Sequence, residues 1–132
     1  MTTVLWCLLL VSVLPIVLAI TGSAMRGRAL GTLDNNNPRQ QAQQLTGAPA
    51  RFYAAQQNAW EALAIFTAAV VAAYVSEADP ERISQLALAF VAFRVLHAVF
   101  YVADLATLRS LAFGGGLISA IWMFTTGLIQ LG

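Results

Sequence analysis

From Arg51 to Asp104 the chain reads RFYAAQQNAWEALAIFTAAVVAAYV, then SEADPER, then ISQLALAFVAFRVLHAVFYVAD. Two long apolar runs flank a tight turn at Ala78-Asp79-Pro80, so the stretch is a helical hairpin able to cross a bilayer twice. Each run carries polar groups at the end far from the turn: Asn58 and Glu61 before it, and Arg94, His97, Tyr101 and Asp104 after it. Glu61 lies 18 residues before Asp79 and His97 lies 18 after it. At about 1.5 Å per residue both sit roughly 27 Å from the turn, in the far third of a hydrocarbon core about 30 Å thick. Arg94, His97, Tyr101 and Asp104 follow i, i+3, i+7, i+10 spacing, which is one helical face. Asn58 and Glu61 share a face of the preceding helix, with Arg51 seven residues further back. Ionisable groups turned to lipid cost several kcal/mol, so the two polar faces are expected to look at each other or at a shared recess.

Composition agrees with this reading. Of 132 residues, 59% are hydrophobic and 10% charged, far from the balance of a soluble domain. A net charge of +1 leaves no basic surface large enough for nucleic acid. Cys7 is the single cysteine, which excludes an internal disulfide or a thiolate metal site. One histidine among scattered carboxylates gives no metal-ligand spacing, so no metal is expected.

Outward from the hairpin lie two further apolar runs. The reading is therefore all-α: one four-helix membrane domain over 1–132, with helices at about 3–25, 50–76, 82–106 and 110–131. The first run resembles a signal peptide only superficially: no basic residue precedes it and its apolar part is too long. Arg26 and Arg28 follow it, which favours a retained helix with its amino end outside. Pro15 falls inside this helix and is expected to kink it. Residues 26–49 form the one sizeable loop, rich in Asn, Gln, Gly and Pro. Arginines 26, 28, 39 and 51 make it the positive loop, whereas Ser76 to Arg82 carries three acids and one arginine. The large loop, and the shorter one with Arg109, are thus expected in the cytoplasm, with both termini on the other side. In the last run, Gly114 to Gly116 is expected to permit close helix approach, and Trp122 to lie too deep for an interface anchor and so to pack. Abundant alanine suits tight contacts in lipid, between chains included. Arginine without lysine, beside so much alanine, fits a GC-rich bacterial genome and hence an inner membrane.

Three stretches together resemble the MAPEG family, the membrane-associated proteins in eicosanoid and glutathione metabolism. AITGSAMRGR resembles its arginine-bearing exit from the first helix. RFYAAQQNAWE resembles its Arg/Gln-x-Asn-x-x-Glu signature, and FRVLHAVFYVADLATLRS its Arg-x-x-His-x-x-x-Tyr pattern with a later Arg-Ser. The resemblance covers nearly the whole chain. It implies a homotrimer whose subunits share sites opening to the cytoplasm, and glutathione as the bound thiol. By position, Gln56, Asn58 and Glu61 would contact the tripeptide, Arg26 or Arg28 and Tyr101 would line the pocket, and Arg109 would hold the thiolate. Arg94 and His97 would brace Glu61 from the next helix. Ala54 stands where glutathione-binding relatives often have an arginine, with Arg51 one turn earlier as a substitute. Phe113 stands where an aromatic hydroxyl is expected, and the spacing from Tyr101 to Arg109 is one residue short. The activity implied is a glutathione transferase or peroxidase acting on lipophilic molecules that arrive from the membrane lipids.

Each of these residues also has a plainer reading. Glu61 with Arg94 is read first as a structural intramembrane pair, and His97 as a hydrogen-bonder within it. Tyr101 also suits the membrane interface, Asp104 a helix end, and Arg109 the topology of a flanking loop. The alternative function is a membrane protein that binds a lipid or other ligand without thiol chemistry, because a fold does not fix its function. An ion path along Glu61, His97 and Asp104 is disfavoured, since the half of the hairpin near the turn is apolar.

Overall fold

A computed structural model describes residues 1–131, all of whose regular structure is helical: α1 (Thr2–Leu30), α2 (Pro38–Ala42), α3 (Gly47–Val75), α4 (Pro80–Val102) and α5 (Ala106–Leu131). Four of the five, α2 excepted, are long and apolar enough to span a membrane. They form an antiparallel bundle in which α3 packs on α1, α4 and α5, and α4 and α5 share the longest seam. Large apolar side chains point outward from every span, among them Leu5, Trp6, Ile20, Val71, Leu88, Ile118 and Ile129. Such a continuous apolar skin is what lipid solvates and water does not. This is a multi-pass membrane protein.

The inside is built from small residues. On α3 the buried set Ala55, Ala59, Ala62, Phe66, Ala69 and Ala73 recurs at three- and four-residue steps. On α4 the stripe Ile83, Ala87, Phe90 continues without a break into Arg94 and His97. Alanine at these steps lets backbones come close, which is how helices gain packing energy in lipid. Toward the turn the core closes fully: Phe66 stacks on Phe90 with ring centroids 4.3 Å apart, among Val4, Cys7, Val11, Ile83 and Met123. At Gly127 a β-carbon would stand 2.9 Å from the Ala72 backbone, and at Gly115 one would stand 2.6 Å from the Phe93 ring. Within the glycine run, Gly115 and Gly116 meet α4 closely, whereas Gly114 faces open space.

Helix ends follow the local chemistry. Asp79 caps α4 by accepting from the Glu81 N–H at 3.2 Å, and Pro80 occupies the first turn, where its missing donor costs nothing. Gly31 ends α1 in the left-handed region at φ 75°. Three boundaries differ most from the sequence reading. The third span ends at Val102, four residues early, which leaves Asp104 in the turn at φ 63°. The first helix runs on to Leu30, so Arg26 and Arg28 lie within it. The last begins at Ala106, so Arg109 belongs to its first turn, its N–H bonded to the Leu105 carbonyl at 2.9 Å. Hydropathy marks where lipid ends, whereas a helix continues as long as its backbone bonds do.

The large loop is folded. Gln41 is buried, donating to the Thr32 carbonyl at 2.9 Å and accepting from the Asp34 N–H at 3.0 Å. The carboxylate of Asp34 accepts from the N–H groups of Asn36 and Asn37. Those bonds, Asn37 first and then Asn36, hold its pKa below the usual carboxylate range.

Candidate functional site

At the end of the bundle away from the Ala78-Pro80 turn, polar side chains meet in a chain of contacts. Arg94, only 3% exposed, donates through Nη2 to both the carbonyl and the side-chain Oδ1 of Asn58. The same nitrogen lies 3.4 Å from His97 Nδ1. His97 in turn meets Tyr101 edge-on, centroids 5.5 Å apart, and tilts against Phe113 at 6.1 Å. Tyr101 carries the Arg109 guanidinium over its ring at 4.5 Å. At the other end of the chain, Asn58 Nδ2 reaches Glu61 Oε2 at 3.4 Å. One continuous series thus joins Glu61 to Arg109 through Asn58, Arg94, His97 and Tyr101.

The direct Glu61–Arg94 pair expected from spacing is not made. Among the described residues the single ion pair is Arg51–Asp104. Asn58 and Glu61 share one face of α3, and Asn58 takes the Arg94 donors although Glu61 is the nearer to Arg94 by residue count from the turn. Glu61 is exposed in the isolated chain and helps line a cavity of about 90 Å³ with Asn58, Phe90, Arg94, Phe113 and Leu117. Arg94 Nε is buried with no partner, so the arginine is not fully satisfied even here.

The other expected ligand residues are distributed elsewhere. Arg51 donates to the Val102 carbonyl at 3.2 Å and pairs with Asp104 at 3.3 Å. It thus ties the start of α3 to the end of α4 and is engaged by the protein itself. Arg26 and Gln56 line a separate open cleft of about 540 Å³ between α1, α2 and α3, together with Ser23, Arg39, Tyr53 and Trp60. Arg26 donates to the Pro38 carbonyl at 3.2 Å, and its Nε is buried without a partner. Arg28 is exposed and lines neither space. Hence α3 shows two polar faces: Tyr53, Gln56, Gln57 and Trp60 toward α1, and Asn58 and Glu61 toward α4 and α5. Sequence reasoning missed Tyr53, Trp60 and Arg39. The 53, 56, 57, 60 spacing was the available signal, hidden because neither aromatic looks out of place in an apolar run.

The MAPEG family model matches residues 3–129. No curated protein and no solved structure gives a significant match.

Proposed function

The chain belongs to the MAPEG family, and from that premise we propose that it is a glutathione-dependent transferase or peroxidase acting on lipophilic substrates drawn from the bilayer. Arg109 carries the reading. Its guanidinium rests on the Tyr101 ring, and its side chain has no ion pair or hydrogen bond among the described residues. It is therefore a cation with all its donors available to an incoming anion. A thiol with an ordinary pKa of about 8.5 becomes a better nucleophile beside such a group, which favours the thiolate.

The donor set fits a peptide thiol. The open cleft of about 540 Å³ has the size of a small-molecule site. The unpartnered Arg26 Nε is a buried donor in need of an acceptor. Arg26 and Gln56 would hold the tripeptide's carboxylate and amide groups there, and on the other face of α3 Glu61 would offer its carboxylate and Asn58 an Nδ2 hydrogen, its Oδ1 being taken by Arg94. Glutathione would supply the nucleophilic or reducing sulfur. Arg109 would hold the thiol deprotonated, Tyr101 would keep Arg109 in place, and the surrounding helices would exclude water. In a single chain the cleft and Arg109 lie on different helix faces, so the proposal includes a homotrimer in which neighbouring copies complete each site. It also includes an inner-membrane location with the site facing the cytoplasm and both termini away from it.

Thermal unfolding of the purified protein in detergent tests the reading. Glutathione should raise the melting temperature saturably, and thiolate absorbance should appear with the native protein but not with Arg109→Ala. No stabilisation at millimolar glutathione would sink the proposal. The second reading, a lipid- or ligand-binding protein without thiol chemistry, is favoured by Phe113. That ring packs on His97 and lines the Glu61 cavity, where it offers no hydrogen bond to a thiol.

A further inference from the structure

The end of the bundle at the Ala78-Pro80 turn holds a second open groove, of about 530 Å³, lined by Asp79, Glu81, Arg82, Gln85, Leu86 and Trp122. We propose that this groove binds the headgroup of a zwitterionic phospholipid that carries a primary ammonium beside its phosphodiester.

Three observations lead there. First, the guanidinium carbon of Arg82 lies 5.3 Å from the Trp122 ring centroid. A guanidinium held against an aromatic ring keeps its in-plane N–H donors for a further partner. Second, although Asp79 and Glu81 line the same groove, Arg82 pairs with neither: the one ion pair among the described residues is Arg51–Asp104. Asp79 spends Oδ1 on the Glu81 N–H, leaving its other oxygen and the whole Glu81 carboxylate available. The groove therefore presents separated donors and acceptors that do not satisfy one another. Third, Trp122 is 49% exposed and sits at the level of the first turn of α4. That is the headgroup layer, because Asp79 belongs to the turn between two spans. Tryptophan is at home at this depth, with its ring against acyl chains and its N–H toward the polar layer. Expected from sequence to pack, Trp122 is instead half exposed and meets Arg82.

Charge selects the occupant. One guanidinium and two carboxylates give the groove a local charge of −1, so a purely anionic headgroup meets repulsion from Asp79 and Glu81. A quaternary ammonium carries no N–H and cannot donate to either carboxylate. A primary ammonium has three donors for the carboxylates, while the attached phosphodiester offers oxygens to the Arg82 edge. Leu86 and the face of Trp122 then guide the glycerol and the start of the acyl chains. This site is remote from Arg109 and independent of the proposed enzymatic reaction.

The test uses the protein with Trp6→Phe and Trp60→Phe, both exposed positions, so that Trp122 alone reports. It is placed in nanodiscs of phosphatidylcholine containing increasing phosphatidylethanolamine or phosphatidylglycerol. Trp122 emission should respond saturably to phosphatidylethanolamine, and roughly tenfold or more weakly after Arg82→Gln or Glu81→Gln, each of which removes one charge-assisted contact. Water-soluble phosphoethanolamine added to pure phosphatidylcholine discs should have no effect. Equal responses to all lipids would reduce Arg82 and Trp122 to a general interface anchor. A stronger response to phosphatidylglycerol would make the groove an anion site, and a response to the soluble headgroup would remove the membrane as its source; each overturns the proposal. Native mass spectrometry of the unmodified protein released from mixed discs gives a second reading, with preferential retention of phosphatidylethanolamine expected and indifference fatal.

Discussion

Arg82 and Arg94 stand twelve residues apart on α4, in opposite surroundings. Arg94 occupies a core position, 3% exposed, and is surrounded by Asn58, His97 and Gly116. Arg82 is exposed and stacked on an aromatic ring. The difference lies in what each location demands. A charge taken into the bundle must bring acceptors with it, and here the neighbouring helix supplies a backbone carbonyl and an amide oxygen. A charge at the headgroup layer is solvated whatever it touches, so it is free to take an aromatic neighbour and keep its donors. The same contrast divides the bundle. Near the turn, alanine, Phe66, Phe90 and Met123 fill the interior. Beyond them a smaller cluster of Leu18, Ala55, Ala59 and Ala98 shares the space with polar contacts, a cavity and a cleft. One end is closed by packing and the other holds polar contacts and open space.

The largest expected effect tests the burial of Arg94. Asn58→Ala removes its side-chain acceptor and should cost about 3 kcal/mol, read as a large drop in melting temperature in detergent. Near-native stability would mean that Arg94 is not held as described. In the packed half, Gly127→Ala places a β-carbon 2.9 Å from the Ala72 backbone, an overpacking of about 1–3 kcal/mol. Gly115→Ala should cost less, because the Phe93 side chain can shift where a backbone cannot. If the order is reversed, the close contact of the bundle lies on α4 instead of α3.

Glu61→Gln sharpens the comparison further. With no ion pair to lose and one long contact at 3.4 Å, it should change stability by less than about 1 kcal/mol. A loss as large as that of Asn58→Ala would restore the direct pairing with Arg94. Arg82→Gln should be milder again, about 0.5–1 kcal/mol at most for an exposed cation–π contact, and a strongly destabilised variant would show that Arg82 is structural. The smallest change concerns the loop. Because folding lowers the pKa of Asp34, its contribution is present above the unfolded carboxyl's pKa and disappears as pH falls through the lowered folded value. Amide exchange at Asn36 and Asn37, corrected for its intrinsic pH dependence, should quicken only in that acid range. Equal protection throughout would uncouple the turn from the carboxylate.

Much of the architecture could be read from residue order. The hairpin, the four spans and the inward face of Arg94 and His97 follow from the length of apolar runs and a period of 3.6. The partner of Arg94 did not follow. Equal distance from the turn brings Glu61 level with His97, but spacing along one helix says nothing about its rotation against another. Rotation assigned Arg94 to Asn58 and left Glu61 facing the cavity. Trp122 was expected to pack yet is half exposed against Arg82, because which face of α5 is covered depends on how it docks on its neighbours. The extended first helix and the folded loop escaped because backbone hydrogen bonding does not stop where hydropathy falls.

By itself, then, the order of residues determined an all-helical protein of four spans and the end of the bundle at which its intramembrane polar groups gather. Apolar length and periodicity are local quantities, and the cost of charge in hydrocarbon acts on each residue separately. Tertiary structure alone decided which acceptor holds Arg94, how α3 divides its polar residues between two spaces, and that Arg82 meets Trp122. Those outcomes depend on the tilt, rotation and axial offset of one helix against another, which the packing of the small residues between them determines.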